Sequence, residues 1–390
     1  MDAVVKVAHV IGSLLEPLGG AEQYVVEVAR AQAAAGHEVA VVTGWASAPV
    51  VARLLADGVS VEVTPVRRPY PPDRRGSRPA ALLFHALDLL DSIRTPRALR
   101  RVLARDWDVV HAHRVAGLGA GLLRSTTAPV VVTVHDYSLV DTRSSLLRGG
   151  MVAVRPPLVQ RLRTRVTSRA VERARLIFPS EELRERHRAW GLRVPASEVV
   201  PHGWRIGAAR SGRGTDTGPV VFLFLGKLLP TKGVPQLLEA WGDGIPGAEL
   251  WIAGAGPLAA AVAAAPVRAL GWLDATGRDT ALAAASAMVL PSTGPEIFLL
   301  AAAEGALAGL PVISTTVAAP PAVRDGVSGI LTGADPAALR AAMLHLMDPV
   351  ERARLAAGAR QFAAELDLDR HLERVHAVYA AAGARAEVRR

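Results

Sequence analysis

Short Val- and Ile-rich runs alternate along the chain with longer Ala-, Leu- and Arg-rich segments whose apolar positions recur at helical spacing. Continuous apolar runs bounded by turn residues read as strands buried on both faces, so the alternation predicts parallel sheets covered by helices. In the first half the runs are VVKVAHVIG, EVAVVTG, DVVHAH, APVVVTVHD and RLIFPS. After the Gly-, Ser- and Arg-rich stretch RIGAARSGRGTDTGP the pattern restarts with PVVFLFLG, AELWIAG, AMVLPS and LPVIST. That stretch reads as a linker and divides the chain into doubly wound α/β units over 1–204 and 205–365. Two such units in series predict a ligand site in the cleft between them, at the carboxyl ends of the strands.

Composition narrows the picture. A chain of 390 residues exceeds the size at which one core stops growing, and 50% hydrophobic residues supply two. The apolar runs are too short and interrupted for a membrane span, and the start, MDAVVKVAHVIG, does not have the form of an export leader. A cytoplasmic protein is expected. With no cysteine, disulfides, thiol nucleophiles and zinc–thiolate sites are excluded. Through Arg205 the chain has 29 Lys and Arg against 19 Asp and Glu, and the remainder has 16 against 17, so the net charge of +9 belongs to the first half. Its arginines cluster in RRPYPPDRRGSRP, from Arg67 to Pro79, and in LVQRLRTRVTSRAVERAR, from Leu158 to Arg175. In the second cluster Leu158, Leu162, Val166 and Ala170 predict a buried helical stripe with the arginines in solvent. That basic face is a candidate for an anionic acceptor or a peripheral membrane contact, against the plainer reading of a solvated surface.

Candidate chemistry lies at strand ends. PVVFLFLG runs into GKLLPTKG, Gly226 to Gly233, so Lys227 and Lys232 flank a turn before a helical segment. Fixed cations beside a helix N-terminus suit a departing diphosphate, although an isolated lysine pair is more often a solvated turn. The loop lacks the spacing of a Walker motif. Gly19 and Gly20 precede a second helical segment, where backbone amides can approach a phosphate or simply form a turn. Glu296 and Glu304 lie eight residues apart in a stretch of helix formers. A helical rise of 1.5 Å per residue separates them by about 12 Å. Glycosidase carboxylate pairs span roughly 5 to 9.5 Å, so recognition of sugar and ribose hydroxyls is the better use. His135 ends an apolar strand and opens a polar loop. His111 and His113 share one face of a strand, and with no third ligand evident in the neighbouring sequence they read as packing and hydrogen-bonding residues. For Trp272 a core aromatic is the commoner outcome.

Taken together, GGAEQYV, GHEVAVVT, DVVHAH, VTVHD, VVPHGW, GKLLPTKG, IAGAGP, LGWL, EIFLLAAAE, GLPVIST and VRDGVSG run through nearly the whole chain in one order. In that order the sequence resembles a retaining glycosyltransferase of family four. The resemblance implies the GT-B fold, two facing Rossmann-like doubly wound parallel-sheet domains with an interdomain cleft, and a helix over 366–390 that crosses back to the first domain. It implies transfer of a hexose from a nucleotide sugar, UDP-glucose or UDP-N-acetylglucosamine ahead of a GDP-sugar. The acceptor is then a hydroxyl on a secondary-metabolite core, a lipid-linked sugar or a phosphorylated polyol. Lys227 and Lys232 take the family's diphosphate positions, Glu296 the transferred sugar and Glu304 the ribose. Gly19, Gly20 and Gly226, with Ile297, Phe298, Leu299 and Leu300, line the donor, and Gly271, Trp272 and Leu273 the base. His135 faces sugar and acceptor. No cofactor, metal or nucleic-acid partner is implied. The chain departs from the family at Leu299, where glycine is usual, and at Ala318, Ala319 and Ala322, where Gly-Gly and Glu are common.

Two other enzyme classes remain open at this point. Non-hydrolysing sugar-nucleotide 2-epimerases share this fold and donor. IAGAGPLAA, with Asp274 twenty residues after Gly254, mimics the dinucleotide fingerprint of a dehydrogenase.

Overall fold

A computed structural model describes residues 4–384 apart from 73, 75, 143, 145, 149–150, 153–155, 205–217 and 297–298. The chain divides into two compact units, Met1–His202 with Leu368–Arg390, and Gly203–Asp367. The expected linker falls mostly outside the described residues.

The first unit has seven parallel strands, β1 (Lys6–Leu14), β2 (Glu38–Ala46), β3 (Ser60–Val63), β4 (Val109–Ala112), β5 (Val130–Thr133), β6 (Ala174–Phe178) and β7 (Ser197–Val199), in the order β3-β2-β1-β4-β5-β6-β7. Helices α1 (Gly20–Ala34), α2 (Ala48–Ala56), α3 (Arg78–Ile93), α4 (Arg97–Leu103), α5 (Leu158–Ala170) and α6 (Glu181–Ala189) belong to it. The second unit repeats the winding with β8 (Val220–Leu225), β9 (Ala248–Ala253), β10 (Arg268–Gly271), β11 (Ala287–Leu290), β12 (Val312–Thr315) and β13 (Gly329–Thr332), ordered β10-β9-β8-β11-β12-β13. Its helices are α7 (Val234–Trp241), α8 (Ala259–Ala264), α9 (Ala275–Ala284), α10 (Leu300–Leu307), α11 (Pro336–His345) and α12 (Pro349–Ala363). In both sheets the order reverses beside the first strand, as in the doubly wound folds whose switch point receives ligands. The central strands are buried along their whole length, β8 at every residue, which is why their sequences read as unbroken apolar runs.

The final helix, α13 (Leu368–Ala381), belongs to the first unit. Val375, Val378 and Tyr379 pack with Val7, Val109, Val131 and Ile177. Polar contacts add direction. The Tyr24 hydroxyl on α1 lies 2.8 Å from His371 Nε2, whose Nδ1 lies 2.8 Å from the Pro201 carbonyl. Since that carbonyl can only accept, His371 donates from Nδ1 and takes the Tyr24 proton at Nε2.

Helix α5 differs from its expected packing. Leu158 and Leu162 are 78% and 57% exposed, while Gln160, Thr164, Thr167 and Ser168 are buried. The loop beneath presents backbone carbonyls that require donors. Thr167 Oγ1 donates to the Leu139 carbonyl at 2.7 Å, and the Arg163 guanidinium reaches Ser138 O at 3.1 Å. Arg163 also pairs with buried Asp88 on α3 at 3.1 Å, so it is a structural ion pair rather than a solvated charge. Satisfying buried polar groups turned the helix so that leucines face outward. Among the described residues no helix is long and apolar enough to cross a membrane.

The first unit buries an unusual number of imidazoles. Burial above all pushes His9, His371 and His376 down to about 4 and His135 to about 3, and holds His111, His113 and His202 well below the ordinary value. Unfolded, these rings bind protons near pH 6.5; folded, His9, His371 and His376 do so only near 4, His135 near 3, and the others well below 6.5. Their contribution to stability is therefore full above about pH 6.5 and is lost as pH falls toward 4, each ring removing up to about 1.4 kcal/mol per pH unit. The urea midpoint of the full chain should fall steeply between pH 6.5 and 4.5. A flat profile over that range is incompatible with neutral buried rings.

Candidate functional site

In the second unit the predicted residues gather at the carboxyl ends of the central strands. Gly233 closes the GKLLPTKG loop at φ 73°, and a Cβ there would lie 1.8 Å from the Pro291 carbonyl oxygen. Only glycine permits that approach, which brings the loop against the residues following β11. Lys232 Nζ is consequently 2.5 Å from Glu296 Oε1, and Ser292 Oγ donates to the same oxygen at 2.6 Å. The Glu296 amide donates to Ala318 O at 3.2 Å, tying the segment to the loop after β12. Lys227 is exposed on the same turn, and Gly226 donates its amide to Ala253 O. Ser292 was not singled out in the sequence, since an isolated serine after a strand carries no signal.

Glu304, on α10, pairs with Arg278 on α9 at 3.1 Å. Burial raises its carboxyl, partly opposed by that guanidinium. The expected 12 Å helical spacing between the two glutamates does not hold, because α10 begins only at Leu300 and Glu296 lies outside it. Leu299, the residue before α10, has φ 52°, in the left-handed region. Ile297 and Phe298 lie outside the described residues. Leu300 opens α10. Gly271 ends β10 at φ 68° with open space where a Cβ would be, and Leu273 is half-buried. Trp272 is 64% exposed, not a core aromatic, which leaves its indole free to meet a planar ligand.

The dinucleotide-like glycines have another task. A Cβ at Gly254 would lie 1.8 Å from Gly226 O, and one at Gly256 2.6 Å from Leu228 O. They are small so that two backbone loops can touch. Asp274 accepts from the Gly277 amide at 2.8 Å and caps α9, so the acid of the apparent fingerprint is occupied.

In the first unit, Gly19 precedes α1, and a Cβ there would meet the Glu22 carboxylate at 2.5 Å. A Cβ at Gly20 would meet nothing within 4 Å, so its absence serves no internal packing. Glu22 and Asp136 flank Arg114, at 3.2 and 3.0 Å. His135, just past β5, is half-buried with Nε2 3.1 Å from His113 Nδ1. The third histidine that the sequence did not reveal is His9. Strand register sets it beside His111, and the ligand atoms of His9, His111 and His113 lie within 4.8 Å of one another. All six of their ring nitrogens nevertheless have protein partners: His113 with His9, Gln32 with His9, His135 with His113, and Tyr379 and Thr133 with His111. A metal would have to displace those bonds, so the group is a hydrogen-bond network.

Two doubly wound parallel-sheet units with charged groups at the strand ends define an α/β architecture of the kind that receives ligands at its switch points. Comparison with known proteins places it further. Residues 19–203 match the glycosyl transferase 4-like domain and residues 219–349 the glycosyl transferases group 1. A D-inositol 3-phosphate glycosyltransferase from Catenulispora acidiphila is 30% identical over 93% of this chain and 91% of its own length. A phosphatidyl-myo-inositol mannosyltransferase from Mycobacterium tuberculosis is 28% identical over 64% of this chain, and the match spans 66% of that relative. The chain belongs to the group 1 glycosyltransferases of family-four type. Among solved structures, HepE of Anabaena in complex with UDP and glucose superposes with a TM-score of 0.70 at 18% identity, covering 97% of this chain and all of that one. Sucrose-phosphate synthase from Thermosynechococcus elongatus gives 0.72 at 18% identity, covering 96% and 98%. Both share the GT-B fold.

The family departures now have a physical meaning. Leu299, where glycine is usual, has φ 52°, and Ala319, in the Gly-Gly position, has φ 37°. Ala322, where Glu is common, is 1% exposed within the apolar core. A left-handed conformation costs a side-chain-bearing residue about 1–2 kcal/mol. Leu299→Gly should therefore be more stable than Leu299→Ala by about 1 kcal/mol, the reverse of the usual order, since both lose the same apolar contact. Ala319→Gly, which removes one methyl group, should raise the denaturation midpoint. Differential scanning calorimetry of the three variants checks both, and an Ala variant at least as stable as the Gly variant at 299 contradicts the strain.

Proposed function

We propose that this chain transfers a hexose from a nucleotide sugar to a hydroxyl acceptor with retention of anomeric configuration. The observation that carries the reading is the Lys232–Glu296–Ser292 cluster, a cation and a carboxylate held together at the strand ends. Lys232 and Lys227 stabilise the departing diphosphate, and the carboxylate of Glu296 accepts hydrogen bonds from hydroxyls of the sugar. Glu304 holds the ribose and the exposed Trp272 borders the base. Gly20 lets backbone amides approach the phosphates. The acceptor oxygen attacks the anomeric carbon on the face the diphosphate leaves, and a diphosphate oxygen takes its proton. Because lysines meet the developing charge, the reaction is expected to survive EDTA.

The solved neighbour that holds UDP and glucose supports a UDP-hexose donor, with a GDP-sugar second. The names of the relatives support an acceptor that contains inositol, as a phosphate ester or a lipid. A lipid surface also fits the first unit. Leu82, Leu83, Leu90 and Ile93 on α3 and Leu158 and Leu162 on α5 are exposed, with Arg78, Arg161 and Arg165 exposed on the same helices. Apolar side chains beside cations suit an anionic bilayer, at about 1 kcal/mol per basic residue.

Lys232→Ala should lower kcat by about two to three orders of magnitude with the fold intact, as for loss of one fixed charge donor. Glu304→Gln should weaken binding of the bare nucleoside diphosphate more than Glu296→Gln does. Mass spectrometry of a donor panel crossed with inositol phosphate, phosphatidylinositol and aminocyclitols, with calorimetry of the variants, checks this. Near-wild-type turnover of Lys232→Ala at saturating donor would remove the diphosphate assignment. In flotation assays, binding should follow the anionic lipid content and be lost in Leu82→Ser/Leu90→Ser; equal binding to neutral vesicles contradicts the surface.

A further inference from the structure

The polar interior of the first unit forms one directed chain. His135 Nε2 lies 3.1 Å from His113 Nδ1, and His113 Nε2 lies 2.9 Å from His9 Nδ1. His9 Nε2 lies 2.6 Å from Gln32 Oε1, and Gln32 Nε2 lies 3.0 Å from His376 Nε2. A neutral imidazole offers one donor and one acceptor, and burial keeps each of these rings neutral at physiological pH.

With the Gln32 amide oxygen facing His9, those two facts set the direction of the whole chain. An amide oxygen only accepts, so His9 carries its proton on Nε2 and its Nδ1 is an acceptor. His113 must then donate from Nε2, which leaves its own Nδ1 to accept. His135 in turn donates from Nε2, and its Nδ1 is a bare lone pair with no partner among the described residues. In this orientation the amide nitrogen of Gln32 faces its partners on α13. Its amide nitrogen has two protons and two partners, His376 Nε2 and, at 3.3 Å, the Tyr379 hydroxyl. The Tyr379 hydroxyl donates to His111 Nδ1 at 2.7 Å, and His111 donates from Nε2 to Thr133 Oγ1 at 2.7 Å. The opposite orientation of the Gln32 amide reverses the chain and places the His135 proton on Nδ1.

We propose that Gln32, His9 and His113 are positioning residues that hold His135 in its Nε2-protonated form, so that Nδ1 accepts a hydrogen bond from a substrate hydroxyl. Carbonyl and phosphate oxygens, which bring no proton, are refused at that atom. The inference rests on the proposed transferase reading, in which the family resemblance implies that His135 faces sugar and acceptor. It also makes the docking of α13 part of the site's chemistry, since His376 and Tyr379 are the residues that orient Gln32.

Long-range nitrogen–proton correlation NMR of full-length protein labelled with 15N-histidine reads each tautomer at pH 7. His135, assigned by its loss in His135→Ala, should show a single Nε2-protonated form. Gln32→Met removes the oxygen that orients the chain without touching substrate. In that variant His135 should become a mixture of tautomers, and kcat should fall in proportion to the wrong form, about twofold at equal populations, with donor KM unchanged. A wild-type His135 protonated on Nδ1, or a Gln32→Met spectrum of His135 identical to wild type, overturns the relay. The wild-type spectrum decides by itself if the variant does not fold. Full transfer activity in His135→Ala instead overturns the assignment of His135 to the site, while the tautomer result stands.

Discussion

A parallel sheet covered by helices on both faces has no wet side, and any polar side chain carried on its central strands must find its partners inside the protein. In the first unit that constraint meets His9, His111 and His113 on adjacent strands. Their rings cannot ionise without losing their burial, so each has to be neutral and each has to commit one nitrogen to donating. Gln32 from α1, Tyr379 from α13, Thr133 and His135 complete the bonds, and His376 on α13 holds the far end of Gln32. The return of the C-terminal helix to the first unit is thus more than the covering of an apolar face. It closes a hydrogen-bond network that the strands alone leave open.

The second unit meets a different constraint, the crowding of loops at the strand ends. Gly254 and Gly256 let one loop touch the backbone of another, and Gly233 presses the lysine loop onto Pro291. Close approach converts residues remote in sequence into a cluster: Lys232, Ser292 and Glu296 share one carboxylate oxygen. Because Lys232 and Glu296 are partners, neither acts on a ligand independently. In the proposed reaction a diphosphate would compete with the carboxylate for the ammonium, and the carboxylate oxygen so freed would be available to hydroxyls. Leu299 and Ala319 hold left-handed backbone without being glycine, so strain is stored in the loops beside this cluster.

Alternating apolar runs and helical segments, with strand-end glycines and lysines between them, were sufficient in the sequence to indicate two parallel-sheet units and the charged residues of the second. This was possible because strand burial and turn chemistry are local properties, encoded residue by residue. The sequence did not show which way α5 faces, since its amphipathic stripe pointed inward while the carbonyls of a distant loop required its polar face. Nor did it show that Glu296 precedes α10, since helix propensity favoured a helix over the whole segment and α10 begins only after the left-handed Leu299. His9 joined His111 and His113 through the register of two strands about a hundred residues apart, and Gln32 and Tyr379 through the packing of α1 against α13. Register and helix docking are decided by the whole set of contacts at once. The sequence by itself therefore determined the two parallel-sheet units and the polar groups at their strand ends, and the tertiary structure alone decided which of those groups meet, because contacts between distant segments are not encoded locally.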